Sequence, residues 1–140
     1  MQINRRHFAS CIVAFALVVG VAPSHAKTIL SAPEAFAKAA TGKITLIDIR
    51  TPAEWAKTGT GAGAIRLDMR RDDFVSALEK ILGGDKSKPV ALICARGVRS
   101  SRLSRALRES GYSNIIDVPE GMLGSYAGPG WLERGLPLAQ

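Results

Sequence analysis

Short apolar runs alternate with amphipathic segments through most of the chain. Five runs predict strands, at residues 27–30, 44–49, 64–67, 89–94 and 114–118; the first is a short edge strand, and the second and fourth are buried strands. The segments between these runs carry apolar residues at helical spacing. This alternation predicts an α/β domain with a parallel sheet, and it continues without internal repeats or a low-complexity linker.

Two capping sequences mark where helices begin. Residues 31–34 (Ser-Ala-Pro-Glu) and 51–54 (Thr-Pro-Ala-Glu) each place a hydroxyl residue three positions before a glutamate, with proline near the first helical position. That spacing lets the hydroxyl and the carboxylate satisfy the free amides of the first turn. We expect one helix to run through Ala40 and end near Gly42, and a short second helix to carry Trp55.

Two more helices are predicted further along the chain. Asp72 or Asp73 is the predicted cap of the third, and the pair Gly83-Gly84 is its predicted end. Its apolar face is made of Phe74, Leu78, Ile81 and Leu82. The fourth helix is predicted over residues 100–110. The residues expected to face the sheet are Leu103, Ala106 and Leu107, and those expected to form a solvated basic face are Arg102, Arg105 and Arg108.

Two segments are predicted to lack long regular elements. Residues 57–63 hold three glycines in polar surroundings, which favours a loop. Residues 130–138 form the tail, with a helical turn expected around Trp131. We expect Trp55 and Trp131 to be packing residues instead of contact surfaces for a substrate.

The first 26 residues have the pattern of a signal peptide. Two arginines, at positions 5 and 6, precede residues 8–22, which carry no charge and are mostly apolar. Residues 24–26 (Ser-His-Ala) match the small-x-small rule for cleavage after Ala26. The apolar stretch is shorter than the roughly 20 residues of a membrane-spanning helix, which argues against an anchor. We therefore expect residues 27–140 to form one exported domain in the bacterial periplasm, reached by the general or the twin-arginine route.

Cleavage would leave Cys94 as the one thiol of this domain, because Cys11 lies in the signal peptide. An internal disulfide is then impossible. A lone thiol in an oxidising compartment favours a reactive role, while a small buried apolar residue is the alternative. His7 and His25 also lie in the signal peptide, so the domain has no histidine for cysteine–histidine hydrolysis.

Charge and composition narrow the expected partners. The chain has a formal net charge of +7, of which two charges belong to the signal peptide. A basic surface interspersed with acidic residues mildly favours small anionic ligands. Aromatic residues that would stack on bases are not interleaved with the basic ones, so we expect no nucleic acid partner. No motif for a metal, a nucleotide or a flavin is present, so we expect no cofactor, and we expect membrane contact only during export.

Residues 92–101 (Leu-Ile-Cys-Ala-Arg-Gly-Val-Arg-Ser-Ser) carry the candidate chemistry. They have the pattern of a strand end, a tight loop and a helix N-terminus, with Cys94 at the edge where parallel strands open to solvent. If the loop curls around Cys94, its N–H groups and the helix dipole form an anion-binding nest, and Gly97 allows the positive φ that the curl needs. Positive charge in the loop would stabilise the thiolate. The nest residues are Ala95, Arg96, Gly97, Val98, Arg99 and Ser100.

The segment 94–100 (Cys-Ala-Arg-Gly-Val-Arg-Ser) closely resembles the active-site loop of rhodanese domains. The resemblance extends upstream to residues 46–55 (Leu-Ile-Asp-Ile-Arg-Thr-Pro-Ala-Glu-Trp). Downstream it includes residues 121–122 (Gly-Met), Trp131 and residues 135–137 (Gly-Leu-Pro). Three ordered segments at consistent spacing make the resemblance specific, and they cover nearly all of the predicted mature domain.

This resemblance implies a three-layer α/β domain with a five-stranded, mostly parallel sheet flanked by helices. It also implies a sulfurtransferase in which Cys94 accepts sulfane sulfur from thiosulfate or a persulfide donor and passes it to cyanide or a thiol. Arg96 and Arg99 would orient the oxygens of the donor as sulfite leaves. For Arg99 a second role stays open, which is to brace the loop.

One segment departs from the family pattern. Residues 59–65 are Gly-Thr-Gly-Ala-Gly-Ala-Ile, where the family usually has Gly-His-Ile-Pro-Gly-Ala-Ile. Loss of the histidine and the proline predicts that this loop, which forms one wall of the site, is more mobile. That mobility would change the stability of the loop or its preference for a sulfur acceptor. The cysteine chemistry does not depend on this segment.

Asp48 and Arg50 follow one another closely at the end of a predicted strand. We expect a structural ion pair that fixes the strand and the neighbouring loops. Thiol transfer needs no carboxylate, and buried charges need partners.

Two other functions use related features. A cysteine phosphatase or arsenate reductase also has a cysteine in an anion-binding loop, but places an arginine six positions after it, where this chain has Ser100. Arsenate reduction also requires a second, resolving thiol, and the predicted mature domain has only Cys94. The second alternative is a non-catalytic binding or redox-sensing module on the same fold; such domains usually lack the cysteine, which is present here.

Overall fold

The apolar runs pair into one parallel sheet. The computed structural model describes residues 28–139. The helices are α1 (Ala32–Ala40), α2 (Pro52–Thr58), α3 (Phe74–Leu82) and α4 (Val98–Glu109). The strands are β1 (Thr45–Asp48), β2 (Thr60–Gly61), β3 (Ala64–Arg66), β4 (Val90–Ile93), β5 (Ile115–Asp117) and β6 (Leu138–Ala139). The main sheet has the order β3-β1-β4-β5 with every pair parallel, whereas β2 and β6 form a separate antiparallel pair. The predicted α/β class is confirmed.

The predicted edge strand is reduced to a single parallel bridge between Ile29 and Asp117. Leu30 donates its N–H to the Asp117 carbonyl at 3.0 Å, and the Asp117 N–H donates to Thr28 at 2.9 Å. The chain then leaves the sheet because Ser31 caps α1 through a complete capping box. The sheet therefore has four strands and one bridge, where five strands were expected.

Two apolar cores lie on opposite faces of the sheet, because successive strand residues point to opposite sides. Ile47 and Leu92 pack on the face covered by α3 and α4. Leu46 and Ile93 pack on the face covered by α1, together with Trp131, which is fully buried as predicted. The result is the expected three-layer arrangement of helices, sheet and helices.

Three local predictions need correction. Residues 57–63 do not form a simple loop: α2 runs to Thr58, and β2 then pairs with β6 near the end of the chain. Asp73 occupies the cap position of α3 but makes no capping hydrogen bond, because its carboxylate pairs with Arg71. Ala106 is exposed rather than facing the sheet. The buried residues of α4 are Ser100, Ser104 and Leu107.

The predicted signal peptide and its cleavage site lie outside the described residues. Within residues 28–139, no helix combines the length and the apolar character needed to cross a lipid bilayer.

Asp48 and Arg50 form a buried ion pair at the end of β1. The Arg50 Nη2 lies 2.7 Å from the Asp48 Oδ2, with side-chain exposures of 1% and 0%. Arg50 also donates to the Thr58 hydroxyl and the Gly59 carbonyl, both at 2.8 Å. Asp48 accepts a hydrogen bond from the Thr60 hydroxyl. The pair thus joins β1 to the end of α2 and to β2, and it holds the segment that departs from the family pattern.

We predict that Asp48→Asn lowers the free energy of unfolding by about 3 kcal/mol, because it leaves the Arg50 guanidinium buried beside a neutral amide. Urea unfolding followed by circular dichroism measures the change. Asp73→Asn is the matched control: it removes the partner of Arg71 in an exposed pair and should have a much smaller effect. Equal losses in the two variants would contradict the prediction.

Candidate active site

Cys94 follows β4 directly, at the edge where the parallel strands end. Its side chain is buried, with 1% exposure. The Cys94 carbonyl accepts the Met122 N–H at 2.9 Å, and the Ala95 carbonyl accepts the Leu123 N–H at 2.9 Å. A Cβ on Gly121 would overlap the Ala95 carbonyl, so only glycine permits this approach. The segment after β5 therefore fixes the base of the loop through its backbone.

The loop curls around Cys94 as the sequence predicts. Gly97 has a φ of 83°, in the left-handed region. Its N–H donates to the Cys94 Sγ at 3.1 Å. A Cβ on Gly97 would overlap the Pro119 carbonyl oxygen. Gly97 is thus required both by its backbone conformation and by its contact with Pro119.

Ser100 provides a second polar contact with the sulfur. Its Oγ lies 3.6 Å from the Cys94 Sγ and donates to the Gly97 carbonyl at 3.1 Å. Ser100 is in the first turn of α4 and is fully buried. A hydroxyl at this position can rotate to donate to a thiolate. Together with the Gly97 amide and the N-terminus of α4, it favours negative charge on the sulfur.

Arg99 braces the loop against α2. Its two terminal nitrogens donate to the Glu54 carboxylate at 3.0 and 2.6 Å. The Arg99 guanidinium holds the pKa of Glu54 at about 2, well below its usual value of 4.5. Glu54 also accepts the Thr51 N–H at 3.0 Å in the capping box of α2. The Glu54 carboxylate therefore caps the start of α2 and also holds Arg99 in the first turn of α4. Of the two roles that were open for Arg99, the geometry favours bracing the loop.

The other loop residues differ in exposure. Arg96 is exposed and makes one long hydrogen bond, from Nη1 to the Gly124 carbonyl at 3.4 Å. Val98 is 66% exposed. Ala95 is half-buried, with its carbonyl held from behind. Arg96 is therefore the arginine of the loop that is available to an anion.

Asp48 and Arg50 lie at the same edge of the sheet as Cys94, because Asp48 is in register with Ile93. Their hydrogen bonds run to one another and to residues 58–60. They support the segment formed by β2, and within residues 28–139 none of these hydrogen bonds reaches the loop that carries Cys94. This placement agrees with a structural role.

Two acidic residues near the site were missed by the sequence analysis. Glu54 was recognised as part of a capping box, but no local signal indicates its partner 45 positions away. Asp117 is buried behind α4, and within residues 28–139 its Oδ1 finds no hydrogen-bond partner. Burial raises the pKa of Asp117, while Ser100 and Arg108 act in the opposite direction. Its position at the end of an apolar strand was the one available signal.

Residues 28–139 contain no histidine and no second cysteine. They also contain no cluster of three or more potential metal-ligating side chains. The arrangement that they do contain, a cysteine with an amide donor, a hydroxyl and a helix N-terminus, is suited to a nucleophilic thiolate without a separate base.

The comparisons with known proteins agree with this geometry. The model of the rhodanese-like domain matches residues 31–126. A polysulfide-sulfur transferase homodimer from Wolinella succinogenes is 30% identical, with a TM-score of 0.63 over 81% of this chain and 78% of that chain. A rhodanese-related protein from Thermoplasma volcanium is 26% identical, with a TM-score of 0.54 over 79% and 95%. A human single-domain sulfurtransferase is 22% identical, with a TM-score of 0.54 over 76% and 96%, and supports the fold alone. A search of curated proteins finds no significant match.

We predict that Glu54→Gln lowers the free energy of unfolding by about 1 kcal/mol at about pH 7, a small value because the pair is one-third exposed. The folded-state pKa of Glu54 is depressed, so its contribution is present above its unfolded value of 4.5 and is lost as the pH falls toward about 2. Urea unfolding should therefore separate wild type and variant more at about pH 7 than at about pH 3. A separation that does not change with pH would refute this account.

Proposed function

Because the chain belongs to the rhodanese-like domain family, we propose that it is a sulfurtransferase in which Cys94 carries sulfane sulfur as a persulfide. The observation that carries this proposal is the Gly97 N–H donating to the Cys94 Sγ at 3.1 Å, with the Ser100 hydroxyl 3.6 Å away. Such donors stabilise a sulfur anion before and after it gains a second sulfur atom.

The proposed reaction has two balanced steps. The Cys94 thiolate attacks the outer sulfur of thiosulfate, the S–S bond of the donor breaks, and sulfite leaves with the electron pair of that bond. The product is a Cys94 persulfide anion. In the second step cyanide or a thiolate attacks the outer sulfur, and the electron pair returns to the Cys94 sulfur. The transferred atom moves as neutral sulfur, so neither step needs a separate oxidant or reductant.

The loop residues have different roles in this proposal. Gly97 and Ser100 stabilise the anionic sulfur, and the exposed guanidinium of Arg96 attracts the donor. Arg99 keeps the loop in position through Glu54. A free Arg99 would be needed if it also bound the donor, and its two terminal nitrogens are already engaged.

One observation favours a second candidate, a non-catalytic binding module on the same fold: the Cys94 side chain is only 1% exposed, whereas a redox-sensing thiol needs access to its oxidant. Phosphatase chemistry has less support, because Ser100 stands where those loops have an arginine and Arg99 is paired with Glu54. Sulfur loading separates the first two candidates.

We predict that thiosulfate adds one sulfur atom to the folded protein and that cyanide removes it. Intact mass spectrometry before thiosulfate, after it and after cyanide measures both events. Cys94→Ser should gain no sulfur while keeping the circular dichroism spectrum of the wild type. Ser100→Ala should load more slowly, because it removes one hydroxyl near the sulfur. A folded protein with a titratable thiol that gains no sulfur from thiosulfate or a polysulfide would favour the binding module.

We also propose that the chain is exported to the bacterial periplasm and cleaved after Ala26. The support is the charged, apolar and small-residue pattern of residues 1–26. Expression of the full chain followed by N-terminal sequencing of the periplasmic protein should give Lys27 as the first residue. Replacing Arg5 and Arg6 by lysine should stop export only if the twin-arginine route is used. An unprocessed chain retained in the cytoplasm would contradict the proposal.

A further inference from the structure

Asp117, the last residue of β5, carries a buried carboxyl group that has no role in the reaction proposed above. Its side chain is 7% exposed, and among residues 28–139 its Oδ1 has no hydrogen-bond partner. A buried acceptor without a partner is costly, so native structures rarely keep one without a reason. The position of Asp117 relative to Cys94 indicates what that reason is.

The register of the sheet places Asp117 close to Cys94. Asp117 is the β5 partner of Leu92 in β4, and Cys94 lies two residues after Leu92. Side chains two positions apart along a strand point to the same face of the sheet. Leu92, Cys94 and Ile115 accordingly pack in one apolar cluster, on the face covered by α4. Asp117 follows Ile115 by two residues and therefore points to that face as well.

Ser100 faces both the carboxyl group and the sulfur. Its Oγ lies 3.6 Å from the Cys94 Sγ and 3.1 Å from the Gly97 carbonyl oxygen. The same hydroxyl favours the ionised form of Asp117, as a hydrogen-bond donor to a carboxylate does. A hydroxyl group has one proton to donate. The carbonyl, the sulfur and the carboxylate therefore compete for the proton of Ser100.

The surroundings of Asp117 contain few charged groups. On α4 they are Ser100, Ser104 one turn later, whose Oγ has no partner within the described residues, and Arg108, which donates to the Ile115 carbonyl. Strand β4 carries no titratable side chain and is followed by Cys94. Residues 28–30 (Thr-Ile-Leu), which bridge the other edge of β5, are uncharged.

The next acidic residue, Glu120, is already engaged. Its carboxylate accepts the Ala32 N–H at 2.8 Å and pairs with Arg134 at 2.6 Å. Burial is the largest influence on Asp117 and raises its pKa, whereas the Ser100 hydroxyl and the Arg108 guanidinium lower it. Asp117 therefore changes its charge closer to neutral pH than an exposed aspartate does.

We propose that Asp117 is a positioning residue that controls the direction of the Ser100 hydroxyl. The neutral carboxyl group donates a hydrogen bond to the Ser100 Oγ and leaves the hydroxyl proton directed at the Cys94 sulfur. The ionised carboxylate accepts that proton in a hydrogen bond and turns it away from the sulfur. The Cys94 thiolate is thus better stabilised while Asp117 is neutral. This inference deepens the sulfurtransferase function proposed above and rests on it for its role in sulfur transfer.

The first experiment follows the ultraviolet absorbance of the Cys94 thiolate against pH, with Cys94→Ser as the blank. Asp117→Asn keeps the shape of the side chain and stays neutral at every pH. Where Asp117 is neutral, variant and wild type should have the same ratio of thiolate to thiol. Where Asp117 is ionised, the ratio in the variant should be about tenfold higher. A difference that does not change with pH would show a purely structural role and overturn the proposal.

Ser100→Ala tests whether Asp117 acts through the hydroxyl. This variant alone should lower the ratio of thiolate to thiol where Asp117 is neutral and have little effect where it is ionised. In the Ser100→Ala background, Asp117→Asn should lose most of its effect. An undiminished effect without the hydroxyl would assign it to direct repulsion between the two anions and overturn the positioning role.

The matched control is Asp85→Asn. Asp85 also accepts a serine hydroxyl, that of Ser87 at 2.6 Å, but it precedes β4, whereas Cys94 follows that strand. The variant removes the same charge as Asp117→Asn, and its thiolate titration should match that of the wild type. An equal change in this control would attribute the effect to net charge and overturn the proposal.

Urea unfolding tests the titration of Asp117 without reference to the thiol. Because its pKa is raised in the folded state, the wild type should lose stability as the pH rises above the usual value of 3.8 and through the folded-state pKa. Asp117→Asn should not show this loss. A difference in stability that stays constant over this range would show that Asp117 does not change charge there and overturn the proposal.

Thiosulfate loading separates this inference from the proposed function. Intact mass should show faster loading of Asp117→Asn at a pH where its thiolate fraction exceeds that of the wild type. No loading of either protein, with the expected thiolate titrations, would reject the proposed function and leave the role of Asp117 supported. Loading of both proteins with identical thiolate titrations would reject the role of Asp117 alone.

Discussion

The backbone contact between the Cys94 loop and the segment after β5 is the constraint on which the site depends. The carbonyls of Cys94 and Ala95 accept N–H groups from Met122 and Leu123, both at 2.9 Å. These bonds require the two backbones to approach so closely that Gly121 admits no side chain. With its carbonyls held from behind, the loop is free to direct an amide at the sulfur. The position of the sulfur is thus set by residues far from it in sequence.

Ion pairing then divides the arginines into structural and available groups. Arg50 is buried against Asp48, and Arg99 is paired with Glu54. Both pairs lie on the side of the loop formed by α2 and β2, where they join elements that the parallel sheet does not connect. Arg102 and Arg105 lie on the other side of the loop and are not paired with carboxylates among the described residues. Positive charge is therefore neutralised on the side of α2 and β2 and retained on the exposed face of α4.

The sequence predicts those features whose partners are a few positions apart. The capping boxes at Ser31 and Thr51 appear as expected, because each hydroxyl and its glutamate lie within one turn. The positive φ of Gly97 follows from the shape of a single loop. Pairs between residues far apart in the chain leave no pattern in the local sequence. For example, β2 pairs with β6 across more than seventy residues, whereas the local composition around β2 indicates only a loop. The Glu54–Arg99 ion pair was not predicted for the same reason. Glu54 had been assigned to a capping box and Arg99 to the loop around Cys94, and nothing in the sequence near either residue indicates the other.

Serine side chains on the buried face of α4 place polar groups between the helix and the apolar sheet, next to the Cys94 loop. The buried residues of α4 are Ser100, Ser104 and Leu107, of which only Leu107 was predicted to face the sheet, and the buried Asp117 ends β5. An ionised Asp117 carboxylate beside Ser100, whose hydroxyl contacts the Cys94 sulfur, would oppose negative charge on that sulfur. Burial raises the pKa of Asp117 and so disfavours its ionisation. The Gly97 amide and the N-terminus of α4 give the sulfur a positive environment, and Arg99 adds to it although it is paired with Glu54. This balance favours an anion bound at the loop without requiring a histidine or a metal ion to generate it.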